Sequence, residues 1–231
     1  MRTLQLLPLL TLGSFLLTAC SDTNTHPTSA PSTTIRYLAL GDSYTIGESV
    51  AESERWPVQL SAELEKQGHS IELTIIARTG WTTDELWNGI QQSSITPPYG
   101  LVSLLIGVNN QYRGRPVEEY REQFRFLLEQ AIQYAGGNPK RVFVVSIPDW
   151  GVTPFASGRD QSRITAEIDA FNTINREEAQ ATGVGYVDIT PYSRTAQSDL
   201  SLIAPDGLHP SGKMYAGWVE RILPVALEAP K

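Results

Sequence analysis

A three-layer α/β/α sandwich around a flavodoxin-like, five-stranded parallel sheet is expected from three features of this 231-residue sequence. Five short runs are nearly continuous in apolar residues, the pattern of strands buried on both faces. Amphipathic stretches of helical period separate them. The two kinds of segment alternate from Ile35 onward, and parallel strands require such crossovers, which are right-handed.

The first run, "IRYLAL" (35–40), leads into "GDSYTIGE" (41–48). A helix follows over "SERWPVQLSAELEKQG" (53–68), with Pro57 near its start and Gly68 as its stop. The second run is "IELTIIA" (71–77), followed by "RTGWTTDEL" (78–86). The third is "LVSLLIG" (101–107), followed by "GVNNQY" (107–112). In "RPVEEYREQFRFLLEQAIQYAGG" (115–137), Val117, Tyr120, Phe124, Leu127, Leu128, Ala131 and Ala135 form one apolar helical stripe. Pro116 suits its first turn and Gly136–Gly137 its end. The fourth run, "RVFVVSI" (141–147), opens onto "SIPDWGVTP" (146–154), a candidate pocket loop. The helix "QSRITAEIDAFNTINREEAQATG" (161–183) closes on Gly183. The fifth run is "GYVDI" (185–189), and the last helix covers "SGKMYAGWVERILPVAL" (211–227).

The segments before Ile35 have another character. "MRTLQLLPLLTLGSFLLTAC" carries Arg2, an apolar stretch and small residues before Cys20, the pattern of a secretion signal over residues 1–19. "LTAC" resembles the lipobox of bacterial lipoproteins, in which the cysteine becomes the lipid-bearing first residue. A plain signal peptide with a chance cysteine is the alternative. On the lipoprotein reading the chain is anchored through Cys20 to a membrane of the bacterial cell envelope. Ser21 favours the outer membrane where the source has one. Residues 20–34 are rich in Ser, Thr and Pro and form a flexible tether, leaving residues 35–231 as the folded domain. With a single cysteine, no internal disulfide can form.

Composition narrows the function. A hydrophobic share of 41% is that of a globular protein. The net charge of −7, with no Lys/Arg cluster, argues against a nucleic-acid partner. Three scattered histidines do not form a metal site, and no cofactor is called for. A monomer is expected.

In open parallel sheets, ligands sit beyond the carboxyl ends of the strands. Four segments would meet there. Ser43 follows the first strand, Gly80 the second and Asn109 the third, while Asp206 and His209 lie in "DGLHPSG" near the end. A serine hydroxyl needs a base to take its proton. His209 is the histidine in a suitable loop, and Asp206, three residues earlier, can orient it. The backbone N–H groups of Ser43 and Gly80 and the Asn109 amide could form an oxyanion hole. Taken singly, Ser43 and Asp42 could be helix caps, Gly80 a turn glycine, and Asn109 and Asn110 turn residues.

Ser43, Gly80, Asn109 and His209, in that order, resemble the four blocks of the SGNH hydrolases, also called the GDSL esterase/lipase family. "GDSYTIG" has Tyr44 where the family's shorthand has leucine, "GVNN" has Asn110 where the family usually has aspartate, and "DGLHP" keeps Asp and His three apart. The likeness spans residues 36 to about 222. It implies a serine ester hydrolase acting through an acyl-enzyme on small acyl esters or acylated carbohydrates. An acyltransferase and a non-catalytic envelope carbohydrate-binding lipoprotein are the alternatives. Position 45 is threonine, so the G-x-S-x-G elbow of α/β-hydrolases is missing. Tyr44, Trp81, Tyr112 and Trp150 follow strands and are candidate substrate-binding walls, with core or lid packing as the other reading. Arg113 and Arg115 are taken as surface charges, and His26 and His69 as solvated.

Overall fold

The computed structural model describes Thr3 and residues 34–229. Apart from Thr3, the expected signal, Cys20, His26 and the tether up to residue 33 lie outside the described residues. Thr34, placed in the tether by its polar composition, instead begins β1 (Thr34–Gly41), where it pairs with Ser70. Ladder hydrogen bonds come from the backbone, so a polar residue can open a strand.

Four further strands complete one sheet: β2 (Ser70–Ala77), β3 (Leu101–Leu105), β4 (Val142–Val145) and β5 (Gly185–Val187). Their order is β2-β1-β3-β4-β5 and every neighbouring pair is parallel. β3 and β4 are buried along their whole length. β2, at an edge, is mostly half-buried, as an edge strand covered on fewer sides must be.

The crossovers are helical. α1 (Ser43–Ile46) and α2 (Trp56–Lys66) join β1 to β2, and α3 (Thr83–Gln91) joins β2 to β3. α4 (Val108–Tyr112) and α5 (Val117–Tyr134) join β3 to β4, and α6 (Gln161–Thr182) joins β4 to β5. α7 (Thr190–Ser193) and α8 (Gly212–Glu228) follow. α2 packs on α8, while α3 and α6 both pack on α5. The sheet lies between these two helical layers, the expected sandwich.

Local sequence explains the elements. On α5, Tyr120, Phe124, Leu127, Leu128 and Ala131 are buried, which is the apolar stripe read from the sequence. Asp160 caps α6 by accepting the Arg163 N–H, and Gly183 closes it in the left-handed region at φ 72°. β4 ends two residues before its apolar run does. The Asn172 side chain there accepts the Ile147 N–H at 2.8 Å and donates to the Ile147 carbonyl at 2.9 Å. A side chain from α6 has replaced the ladder partner.

The strand order creates a switch point. The connection after β1 runs toward β2, whereas β3 lies on the other side of β1 and leads on toward β4. Loops leaving β1 and β3 therefore diverge and leave a crevice at the carboxyl edge. Gly41, the last residue of β1, sits against it. A Cβ there would lie 2.2 Å from Thr45 Oγ1 and 2.5 Å from the Leu105 carbonyl oxygen. Only a residue without a side chain lets α1 turn this close to β3. Gly41→Ala is expected to destabilise the domain by about 1–3 kcal/mol, the usual cost of overpacking. A urea-unfolding midpoint equal to that of the wild type would refute the close approach.

Candidate active site

Ser43 is the first residue of α1, with Asp42 as its N-cap. The Asp42 Oδ1 accepts the Tyr44 N–H at 3.0 Å, which holds the strand-to-helix corner. The N–H of a first helical residue has no intrahelical partner, so that of Ser43 is free to face a ligand. Among the described residues it donates to no protein acceptor, and neither does the Gly80 N–H. Gly80 has φ +87°, a conformation that L-residues with side chains rarely adopt. Arg113 reaches across to this turn, donating to the Gly80 carbonyl at 2.6 Å and pairing with Glu85. It is a structural tie between α4 and the loop after β2, as are the contacts of Arg115 with Asp84 and Glu119.

Asn109 lies on α4 and donates from Nδ2 to the Trp81 carbonyl at 2.9 Å. An amide nitrogen carries two hydrogens, so one remains. Asn110 is fully buried and turned away. Its Oδ1 accepts the Thr83 N–H at 3.1 Å and its Nδ2 donates to Thr83 Oγ1 at 2.8 Å. An aspartate could accept the first bond but not donate the second. The asparagine fits because the Thr83 hydroxyl gives its own proton to Gln123 Oε1 and is left as an acceptor.

His209 arrives on the loop between β5 and α8. That loop is pinned by the Ala204 N–H on the His209 carbonyl and the Ser211 N–H on the Leu202 carbonyl. Asp206 Oδ1 accepts the N–H groups of Leu208 and His209, each at 2.9 Å. Its Oδ2 accepts from Ser49 Oγ at 2.7 Å and meets His209 Nδ1 at 2.5 Å. With Nδ1 engaged, Nε2 is the nitrogen left for other chemistry. Partial burial works against the Asp206 charge. The hydrogen bonds from His209, Leu208 and Ser49 outweigh it and hold the carboxyl well below the usual range. Ser49 carries no signal in the sequence: it is a loop serine with φ 65° whose contact appears only when the loop after α1 meets the C-terminal loop.

Ser43, Gly80, Asn109 and His209 line one cavity of about 200 Å³, together with Tyr44, Thr79, Val108, Tyr112, Trp150, Phe155 and Leu208. The four segments predicted to converge therefore do so. The aromatic candidates divide. Tyr44 is buried, edge-on to His209 at 5.8 Å and to Trp218 at 6.3 Å, so its ring supports the imidazole as well as closing the cavity. Tyr112 and Trp150 form walls. The Trp150 Nε1–H is satisfied by Gln111 at 2.8 Å. Trp81 stands apart: its indole lies against Gly89 of α3, and its backbone carbonyl, held by Asn109, is the part that reaches the site. Phe155, just past the candidate pocket loop, is a wall the sequence reading missed. Its N–H donates to the Gly207 carbonyl at 2.9 Å, which ties that wall to the histidine loop.

Asp42 has the opposite environment to Asp206. It is fully buried, and among the described residues its Oδ2 has no hydrogen-bond partner. Burial pushes its carboxyl up to about 7, against the Tyr44 N–H bond that favours the charge. A folded-state value above the unfolded 3.8 means the native state binds the proton more tightly. Its stabilising contribution is complete below 3.8 and is lost as pH rises through about 7. Asp42→Asn is expected to flatten the fall in melting temperature between pH 4 and pH 8. An unchanged slope would place the buried proton elsewhere.

Comparison with known proteins bears on this site. The profile described as the GDSL-like Lipase/Acylhydrolase family matches residues 39–216. No curated protein matches the chain. Among solved structures, the acetylxylan esterase Axe2 from Geobacillus stearothermophilus is similar with a TM-score of 0.66 and 18% identity, covering 84% of this chain and 94% of that one. The psychrotrophic esterase EstA from Pseudoalteromonas sp. gives 0.62 and 16%, covering 84% and 97%. TesA gives 0.63 and 16%, covering 82% and 97%. At these identities the likeness is one of fold.

Proposed function

Because the chain belongs to the GDSL-like lipase/acylhydrolase family, we propose that it hydrolyses carboxylic esters through an acyl-enzyme on Ser43. The observation that carries this reading is a single cavity holding Ser43, two further oxyanion donors, and a histidine whose Nδ1 is locked by Asp206. His209 Nε2 takes the Ser43 proton as Oγ bonds to the ester carbon. The negative charge that forms on the carbonyl oxygen is met by the N–H groups of Ser43 and Gly80 and the remaining Asn109 amide hydrogen. His209 then gives its proton to the departing alcohol oxygen as the carbon–oxygen bond breaks. Water repeats the sequence on the acyl-enzyme: His209 takes its proton, the hydroxyl adds to the acyl carbon, and Ser43 leaves with the proton restored. Asp206 stays ionised throughout and stabilises the imidazolium.

The substrates on this reading are small acyl esters or acylated carbohydrates. A cavity of about 200 Å³ with Val108, Leu208 and Tyr44 in its wall suits a short acyl group. The aromatic wall of Tyr112, Trp150 and Phe155 offers ring faces to a sugar. A fluorophosphonate probe is expected to label wild-type chain and not Ser43→Ala. His209→Ala should lose about 10²–10⁴-fold in kcat on p-nitrophenyl acetate, the usual contribution of a general base. Near-normal turnover in either variant would overturn the assignment.

The N-terminal pattern supports a second element of the proposal: removal of residues 1–19, lipidation of Cys20 and anchoring in the cell envelope of a bacterium, at the outer membrane where one exists. Several acyl chains, at about 0.8 kcal/mol per buried methylene, hold a protein stably on a bilayer. Cys20→Ser should move the protein from the membrane to the soluble fraction. Retention in the membrane would refute the anchor.

A further inference from the structure

Beside the Ser43 cavity lies a larger groove of about 610 Å³, and Tyr112 and Trp150 belong to the linings of both. The groove wall carries three guanidinium groups, on Arg115, Arg159 and Arg163. Two are neutralised. Arg115 pairs with Asp84 at 2.8 Å and with Glu119 at 3.5 Å, and Arg163 pairs with Glu167 at 2.7 Å. Asp160, which also lines the groove, caps α6 by accepting the Arg163 N–H and keeps its negative charge.

Arg159 differs from both. Among the described residues no carboxylate lies within ion-pair distance of it. Its guanidinium stands over three rings instead, 4.9 Å from the Phe155 centroid and 5.4 Å from those of Tyr112 and Trp150. Its polar contact is a long one, 3.4 Å to the Tyr112 hydroxyl. Among the described residues that contact uses one N–H of a group that carries five, and the remaining donors match the two oxygens of a carboxylate or phosphate. The three rings hold this cation at the boundary between the small cavity and the groove.

We propose that Arg159 is an anion subsite for the alcohol portion of the substrate, so that the preferred esters carry a carboxylate or phosphate on the leaving-group side. The inference rests on the esterase reading above. The small cavity with the oxyanion donors takes the acyl group. The groove, larger and walled by charged side chains, takes the alcohol. An unpaired cation in that wall selects an alcohol with a negative charge, in a protein whose own net charge is −7.

The test uses pairs of esters that differ in charge. Acetylated galacturonic acid is compared with its methyl ester, and acetylglycerol phosphate with acetylglycerol. The full chain is expected to favour the anionic member by about ten-fold or more in kcat/KM, chiefly through KM, and added salt should erode the preference. Arg159→Gln should bring the ratio toward one, and Arg159→Lys should retain part of it. A preference in the uronate pair alone or the phosphate pair alone supports the subsite and names its source. Equal rates within both pairs, with Ser43 labelled by the fluorophosphonate, overturn this proposal alone. So does a ratio unchanged in Arg159→Gln. No hydrolysis of any member, with Ser43 unlabelled, overturns the esterase reading and the subsite with it.

Discussion

Two connections that leave a parallel sheet in opposite directions cannot fill the space between them, and the site of this protein is built in that space. β1 sits between β2 and β3, so the chain must leave it on one side and return on the other. The nucleophile candidate stands at the first residue of α1 and the amide donor on α4, one on each bank of the crevice. The loops after β2 and β5 bring Gly80 and His209 to the same opening. Close packing at Gly41 draws the first bank toward β3.

Two carboxylates have their proton affinities pushed in opposite directions by their surroundings. Asp206 accepts four hydrogen bonds and stays partly exposed, so its charge is stabilised beside the His209 ring. Asp42 is sealed beneath the corner with one bonded oxygen and one orphaned oxygen, and burial favours its proton. The first arrangement orients the His209 imidazole. The second favours the proton on Asp42, next to Ser43. Neutral Asp42 can still accept the Tyr44 N–H, so the helix start survives its protonation.

The walls connect that chemistry to a substrate. Trp150 is fastened by Gln111, which also donates to Glu167, and Glu167 pairs with Arg163. Phe155 is fastened to the histidine loop at Gly207. The aromatic face is therefore continuous with both the groove and the histidine loop. Arg159, stacked on that face, is where the groove's charge meets the cavity.

Strand and helix order, the parallel sheet and the four polar segments were all legible in the sequence, because buried strands, amphipathic helices and capping residues leave periodic traces that depend on local chemistry. The meeting of Ser43, Gly80, Asn109 and His209 at one cavity was legible for a related reason: residues that follow the strands of a parallel sheet share its carboxyl edge. Tertiary structure alone decided the remainder. Ser49 bonds Asp206 across 157 positions of sequence. Trp81 turns its ring onto Gly89 while Tyr44 turns its ring under His209, although both follow strands in the same way. Arg113 is tied to Gly80, Arg115 is paired, and Arg159 has no carboxylate partner among the described residues. Side-chain direction and ion pairing depend on which distant segments pack together, and no window of neighbouring residues encodes that.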